Sequence, residues 1–185
     1  MRLTTQRLVL RDWREEDKPL YAAIIGDPVV RRYFAELGTR ADADLGIDRA
    51  RQRLAEIGYS FLAVERREDG VFMGMLGMAP IKDELRMLLP GAPGVEIGWQ
   101  LGKDYWGHGY APEGAQAMLD FAWTQLALPE VVAITSEGNL PSRRVMEKIG
   151  MRRDPRGDFE HPSVPVGHPL RPHVLYRIAN PALRD

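Results

Sequence analysis

The fold of this chain is decided by one continuous stretch, residues 95–115, which reads VEIGWQLGKDYWGHGYAPEGA. Its first seven residues alternate apolar and polar side chains, which is typical of a strand with one buried face. A glycine-rich turn follows, and apolar residues then recur at helical spacing. Pro112 fits the first turn of that helix, where a missing N–H breaks no hydrogen bond. The stretch predicts a strand, a glycine turn and a helix in succession.

Apolar runs on both sides of this stretch predict a layered α/β (α+β) fold with a mixed central sheet flanked by helices. The element order is strand, helices, three strands, helix, strand, helix, strand. We expect antiparallel pairing at the start of the sheet and parallel pairing at its end, within a single domain of residues 1–185. Strands are predicted at 8–13, 59–65, 71–78, 131–135 and 173–178, and helices after 14 and at 29–34, 42–57 and 141–149.

Length and composition restrict the classes of protein that need to be considered. The 185 residues suit one domain, and the 44% hydrophobic content supplies a large core. The absence of cysteine excludes thiol catalysis, thiolate zinc sites and disulfides, which favours a cytoplasmic protein. A formal charge of -1 gives no basic field for nucleic acid or membranes, and no apolar stretch is long enough for a membrane span. We therefore expect any anion to be bound locally.

The glycine turn at residues 107–111 is a candidate phosphate site. Small residues let backbone N–H groups approach an anion, and the following helix supplies partial positive charge. An ordinary glycine turn is the alternative. The pattern is neither a dinucleotide fingerprint, which would need glycine at Pro112, nor a P-loop, because no Gly-Lys-Ser/Thr follows. A phosphate ester of another kind is the expected ligand.

A second polar segment, residues 139–150, follows the predicted strand 131–135. Asn139 stands near the strand end, and Arg143, Arg144 and Lys148 lie on the next predicted helix. These cations suit the phosphates of a ligand, or they form a solvated helix face behind a turn asparagine. The residues alone leave both interpretations open.

Together these segments resemble the GNAT superfamily of N-acetyltransferases, and most closely its ribosomal-protein N-terminal acetyltransferase (RimJ/RimL-like) branch. The turn is similar to the family pattern Gln/Arg-x-x-Gly-x-Gly/Ala at Gly109 and Ala111, although Trp106 replaces the leading Gln or Arg. The resemblance extends over residues 3–178. Its marks are residues 5–11, 96–99, 105–115 and 139–150.

The resemblance implies that acetyl-CoA binds, without a metal, where two parallel strands splay apart, namely 95–101 and 131–136. Backbone N–H groups of the turn would hold the pyrophosphate, and the first strand would pair with the pantetheine and polarise the thioester. Asn139 would bind the pantetheine, and Arg143, Arg144 or Lys148 the nucleotide phosphates. The cofactor-binding residues so implied are Ile97, Gly98, Trp99, Leu101, Trp106, Gly107, His108, Gly109, Tyr110, Ala111, Asn139, Arg143 and Lys148.

The implied reaction is direct attack of a neutral amine on the thioester in a ternary complex. Glu96 is the candidate general base if burial raises its pKa, or else it only orients the amine. Many family members place a tyrosine acid at the position of Met146 here. Ser142 is the candidate replacement, although its hydroxyl could instead bond the helix backbone. The missing tyrosine leaves a second function open, a catalytically silent acyl-CoA-binding module or sensor.

A proline-rich segment, residues 158–173, precedes the last predicted strand and is a candidate substrate loop. Asp158, His161 and His168 would contact the amine, or the segment is only a connecting loop. A metal site is not expected, because the histidines lack cysteine or paired carboxylate partners. The expected partners are acetyl-CoA and an amine acceptor, a small molecule or a protein N-terminus. Exposed edge strands would also allow a homodimer.

Overall fold

A computed structural model describes residues 1–183, which are built around a nine-stranded sheet. Short 3-10 turns lie at Lys103–Tyr105, Pro155–Gly157 and Pro181–Leu183. The helices are α1 (Asp17–Gly26), α2 (Arg40–Ile57), α3 (Asp83–Arg86), α4 (Tyr110–Thr124) and α5 (Leu140–Lys148). The strands are β1 (Arg2–Thr4), β2 (Leu8–Arg11), β3 (Phe61–Arg66), β4 (Phe72–Pro80), β5 (Val95–Leu101), β6 (Glu130–Ser136), β7 (Arg152–Arg153), β8 (Phe159–Glu160) and β9 (Pro172–Ala179).

The sheet is mixed, as predicted, and its strand order is β1-β2-β3-β4-β5-β6-β9-β7, with β8 also paired to β9. Only β5 and β6 run parallel among the described strands. The predicted parallel pair, 95–101 with 131–136, is confirmed, but the parallel pairing does not extend to the last strand, because β9 runs antiparallel to β6. The chain reaches the start of β9 at the carboxyl end of β6, because Ser136 and Phe159 of β8 both pair with His173. β9 therefore runs back along β6 in the opposite direction.

Local signals fix α2 clearly. The Thr39 hydroxyl accepts from the Asp42 amide at 3.2 Å, and the Asp42 carboxylate accepts from the Thr39 amide at 2.8 Å. This reciprocal capping box begins the helix two residues before the predicted start at Asp42. The helix ends at Gly58, whose φ of +80° is a left-handed conformation that glycine adopts without strain.

The short helix predicted over residues 29–34 is wrong, because this segment consists of turns and bends. The Asp27 carboxylate accepts a hydrogen bond from the Val29 amide at 2.7 Å, which closes a local turn. Two further bonds, from the amides of Arg31 and Phe34, are isolated and do not continue as a helical ladder. Local side-chain bonding replaces helix formation here.

Helices cover both faces of the sheet. On one face α4 and α5 bury Met118, Leu119 and Met146 against β4 and β5. On the other face Trp13 and α2 pack on β3 and β4. The alternation within β5 sends Ile97 to the α4 face and Glu96 to the α2 face, since neighbouring side chains of a strand point oppositely. None of the helices in residues 1–183 is long and apolar enough to cross a bilayer.

Candidate active site

The parallel strands β5 and β6 separate immediately after they meet. Their register contains one pair, Glu96 with Val132. Beyond it β5 continues to Leu101 paired only with β4, and β6 continues to Ser136 paired only with β9. The carboxyl halves of the two strands therefore form a wedge-shaped cleft, and Glu96 stands at its closed end.

A glycine turn lies beside this cleft and begins α4. Gly107 and Gly109 both have left-handed φ values, +81° and +80°, and successive amides in such turns form a concave anion site. No backbone carbonyl in residues 1–183 accepts a hydrogen bond from the amides of 108–111. These donors lie at the positive end of the helix, so the turn can bind a phosphate.

The start of α4 is fastened to the turn between β1 and β2. The Glu113 carboxylate accepts from the Thr5 hydroxyl at 2.6 Å, the Arg7 amide at 2.8 Å and Arg7 Nε at 2.6 Å. Arg7 also donates to the His108 carbonyl and lies over the ring of Tyr110. Partial burial would raise the pKa of Glu113, but these donors outweigh it and lower that pKa. Residues 5–11 were identified in the sequence only as a family mark, without this clamping role.

Trp106 fastens the other side of the turn. Its indole N–H donates to the Leu101 carbonyl at 2.9 Å, and Arg32 stacks on its ring at 4.7 Å. The nearby Lys103 ammonium pairs with Asp27 at 2.8 Å. Trp106 thus ties the turn to the end of β5, and a direct contact of its ring with cofactor stays a prediction.

Asn139 and Ser142 lie where β6 passes into α5. The Asn139 amide oxygen accepts from the Ser142 amide at 3.3 Å, and its nitrogen donates to Thr135 Oγ1 at 2.9 Å. Asn139 is therefore the N-cap of α5, a role that accounts for its residue type without a ligand. The half-buried Ser142 hydroxyl makes no hydrogen bond to residues 1–183 and can still act on a ligand.

The three cations of α5 differ in their surroundings. Arg143 donates to the Tyr176 hydroxyl at 3.2 Å and to the Glu137 carbonyl at 3.0 Å, so its guanidinium joins α5 to the sheet. Arg144 and Lys148 are exposed, and neither has an ion pair within residues 1–183. Of the three predicted phosphate contacts, Arg144 and Lys148 are therefore the two whose charges have no partner within residues 1–183.

Glu96 is half-buried and has no hydrogen bond or ion pair within the described chain. Burial raises the pKa of its carboxyl, and the positive charges of Arg53 and Lys82 oppose that rise. A carboxylate whose proton affinity exceeds that of an exposed glutamate is a better acceptor for an amine proton. The geometry therefore fits the predicted base.

Gln100, on the same face of β5 as Glu96, was missed as a candidate. Its side-chain oxygen accepts from the Tyr21 hydroxyl at 3.2 Å, while its buried Nε2 has no partner within residues 1–183. Burial raises the pKa of Tyr21 to about 12, so that hydroxyl remains a donor. The polar positions of the β5 alternation were the available signal, but burial of Gln100 was not visible in the sequence.

Two of the predicted substrate contacts are engaged elsewhere. Asp158 pairs with Arg153 at 2.6 Å, and His168 Nδ1 accepts from the Leu170 amide at 3.1 Å within its own turn. No cluster of three or more metal-binding side chains is found in residues 1–183. Roles of Asp158 and His168 in binding substrate stay predictions.

His161, unlike Asp158 and His168, lies near the face of the sheet to which Glu96 projects. Its ring is 4.7 Å from that of His173, centre to centre, and His173 pairs with Ser136 at the end of β6. Residues aligned across a ladder share a face, so His173, Ser136, Val132 and Glu96 all face the same side. Burial, aided by neighbouring positive charge, lowers the pKa of His161, and burial lowers that of His173.

Comparison with known proteins identifies the class of this fold and site. Residues 7–152 match the family model described as "Acetyltransferase (GNAT) domain". The chain belongs to the GNAT acetyltransferase family and is an acetyl-CoA-dependent acetyltransferase by family.

Relatives of this chain extend over nearly its whole length. It is 30% identical over 179 residues to "Uncharacterized N-acetyltransferase YnaD" of Bacillus subtilis, covering 96% of each chain. A GNAT-family acetyltransferase structure from Bacillus anthracis has a TM-score of 0.78 and 26% identity, covering 97% of this chain and 99% of the other. Mycobacterium smegmatis RimJ, solved with CoA-disulfide, shares the fold at a TM-score of 0.74 and 20% identity, covering 100% and 89%. The predicted resemblance to the GNAT superfamily is confirmed.

Proposed function

We propose that this chain transfers the acetyl group of acetyl-CoA to a primary amine by direct attack within a ternary complex. The single observation that carries the proposal is the wedge between β5 and β6, which has Glu96 at its closed end and the glycine turn at its side. An elongated thioester with a phosphate at some distance from its reactive carbonyl suits such a wedge. The family membership supplies the reaction class.

The cofactor would lie along the free edge of β5. Amides of 108–111 would bind its pyrophosphate, and the unpaired edge of 97–101 would pair with the pantetheine as a further strand would. A backbone amide of β5 near Gly98 would polarise the thioester carbonyl. Arg144 and Lys148, which are exposed and have no ion pair within residues 1–183, are freer to bind nucleotide phosphates than Arg143, whose Nε and Nη1 already donate to Tyr176 and Glu137.

Bond formation needs no enzyme nucleophile. The neutral amine nitrogen attacks the thioester carbon, the C–S bond breaks, and the amine proton passes to Glu96, directly or through water. The departing thiolate takes a proton from water, directly or through the Ser142 hydroxyl, which recovers its proton from that water. Glu96 suits this role because its carboxylate has no partner within residues 1–183 that it would have to release first.

A silent acyl-CoA-binding protein is the second candidate, and one observation favours it. Met146, where many family members have a tyrosine, is 2% exposed and packs in the core. This side chain offers no proton, so the wedge has no phenolic acid at that position. Catalysis then depends on Ser142 or water, and without either the chain would only bind.

Two experiments on purified protein separate the candidates. Calorimetric titration with acetyl-CoA should show saturable one-site binding. Acetyl-CoA at 100 times its Kd should also raise the free energy of unfolding by about 2.7 kcal/mol. CoA release is then followed with a panel of amines for wild type and for Glu96→Gln with Ser142→Ala. We expect turnover that the double variant loses while acetyl-CoA binding persists.

The contrary outcomes are distinct. Binding without CoA release for every amine would favour the silent module. Failure to bind acetyl-CoA at millimolar concentration would overturn both candidates.

A further inference from the structure

A second cavity lies beside Glu96, on the α2 face of the sheet. Its volume is about 290 Å³. Most of its wall comes from the carboxyl half of α2, and the rest from the end of β4. The lining residues are Arg49, Gln52, Arg53, Glu56, Ile57 and Pro80, and we call this the arginine pocket.

The strand register places the arginine pocket next to the proposed base. Pro80 ends β4, and its neighbour Ala79 is paired with Glu96 of β5. Because Glu96 projects to the α2 face, its carboxylate and the arginine pocket are on the same side of the sheet. The charge of Arg53 also acts on Glu96, which agrees with this proximity.

Within the described part of the chain, the two arginines of the arginine pocket have no ion pair, unlike the other arginines of α2. Arg40 pairs with Asp44 at 2.8 Å, and Arg51 pairs with Glu15. Arg49 and Arg53 have no ion pair or hydrogen bond within residues 1–183. A half-buried guanidinium such as Arg53 is costly to leave without an acceptor, so its five donors point to an anionic ligand.

The acidic residue of the arginine pocket does not cancel these charges fully. The Glu56 carboxylate already accepts from Gln52 at 2.8 Å. Lys82, exposed at the beginning of α3 and without an ion pair in residues 1–183, adds a positive charge near Glu96. Three cations, Arg49, Arg53 and Lys82, therefore lie in this region with the carboxylates of Glu56 and Glu96.

We propose that the arginine pocket binds an anionic group, a carboxylate or a phosphate, carried by the acceptor amine. This rests on the proposed acetyl transfer and names its substrate class. Positive charge near Glu96 favours the neutral, nucleophilic form of the amine. The same field repels acceptors with several ammonium groups, so polyamines are poor substrates.

Matched pairs of acceptors test the proposal. One arm compares α-amino acids with their carboxamides, and the other compares an amino sugar phosphate with the unphosphorylated amino sugar. CoA release is measured for wild type, Arg53→Gln and Arg53→Lys. Arg40→Gln is the control, because Arg40 is an α2 arginine outside the pocket.

We expect wild type to prefer the anionic member of at least one pair. Arg53→Gln should raise its KM about 10- to 100-fold, the value of a charge-assisted hydrogen bond, with little change in kcat. Arg53→Lys should restore part of this loss. The neutral member and Arg40→Gln should be unaffected. The arm that responds identifies carboxylate or phosphate.

Three results would overturn the inference even if acetyl-CoA still binds. These are equal use of both members of every pair, equal losses for both members in Arg53→Gln, and no acetylation of any anionic amine. The proposed function fails separately, when no amine of any charge releases CoA or acetyl-CoA does not bind.

Discussion

The two sides of the wedge differ in how their charged groups are held. At the glycine turn the Glu113 carboxylate has three donors, and Arg7 bridges it to the His108 carbonyl. On the acceptor side neither Glu96 nor Arg53 has a partner within the described chain. The glycine turn is therefore held by contacts within the protein, whereas the charges of Glu96 and Arg53 have no partner in residues 1–183 and stay available to a ligand.

The same difference is visible in the two glutamates. Its donors lower the pKa of Glu113, whereas burial raises that of Glu96. A carboxyl whose pKa is lowered by folding stabilises the folded state at pH values above its unfolded pKa. This stabilisation is lost as the pH falls through the lowered pKa. A carboxyl whose pKa is raised by folding makes the opposite contribution, because its ionised form destabilises the folded state. Ionised Glu113 thus stabilises the fold, whereas ionised Glu96 destabilises it, as expected if Glu96 is the proposed base.

The largest expected effect is on turnover. Glu96→Gln should lower kcat by roughly 100- to 10,000-fold, the usual contribution of a general base, and leave the acetyl-CoA Kd unchanged. The residual rate should lose the acidic limb of its pH profile, since no carboxylate remains to be protonated. CoA release over a pH series checks this, with the exposed Glu68→Gln as control. An unchanged kcat would assign Glu96 to orientation alone.

The next largest effect concerns acetyl-CoA binding at the glycine turn. Gly109→Val introduces a β-branched residue at φ +80°, so the turn must rearrange, and acetyl-CoA should bind at least about tenfold more weakly. Gly91→Val is the matched control, because Gly91 has a φ of +72° in the loop that precedes β5, at the opposite end of that strand from the glycine turn. Calorimetry on both variants, with circular dichroism for folding, separates backbone strain from loss of the site. Equal affinities in the two variants would contradict a cradle at Gly109.

A smaller effect concerns the clamp on α4. Glu113→Gln replaces charge-assisted hydrogen bonds with neutral ones and should lower the free energy of unfolding by about 2 kcal/mol near neutral pH. Because the pKa of Glu113 is lowered, this difference should shrink as the pH falls through that pKa. Urea denaturation measures it against Asp69→Asn, whose exposed pair with Arg66 should contribute less than about 1 kcal/mol. Equal losses would show that the clamp is an ordinary surface pair.

The smallest effect is a gain. Glu96→Gln should raise the melting temperature at about pH 8, where the native carboxylate is ionised in a partly buried site. The gain should vanish at about pH 4, where the wild-type carboxyl is protonated. Thermal unfolding at both pH values gives the difference directly. A loss of stability at the higher pH would mean that Glu96 is held by a favourable contact.

Prediction from sequence succeeded where the signal was continuous and long. The α2 and α4 helices and the β5 strand each carry a full period of apolar positions, and the structure contains all three. β1, β7 and β8 were missed because two or three residues cannot display a period. Residues 29–34 failed because Asp27 bonds the local backbone instead.

For the site, sequence reasoning chose Glu96 and the glycine turn, and the structure brings both to one wedge. It could not find the clamp between Arg7 and Glu113, which are 106 positions apart. It also counted Arg143 with the free cations, although the Tyr176 hydroxyl and the Glu137 carbonyl accept from it. Pairing of distant residues leaves no local pattern to read.

The sequence by itself determined the fold class and the glycine turn, because periodicity and backbone preferences are properties of contiguous residues. The folded arrangement alone fixes where β5 separates from β6, which charges are paired, and that Glu96 is half-buried with no partner in residues 1–183. Those features depend on strand register and on the exclusion of water by distant segments. Desolvation and charge proximity act through space, so the raised pKa of Glu96 and the position of Arg53 near it arise only when the chain is folded.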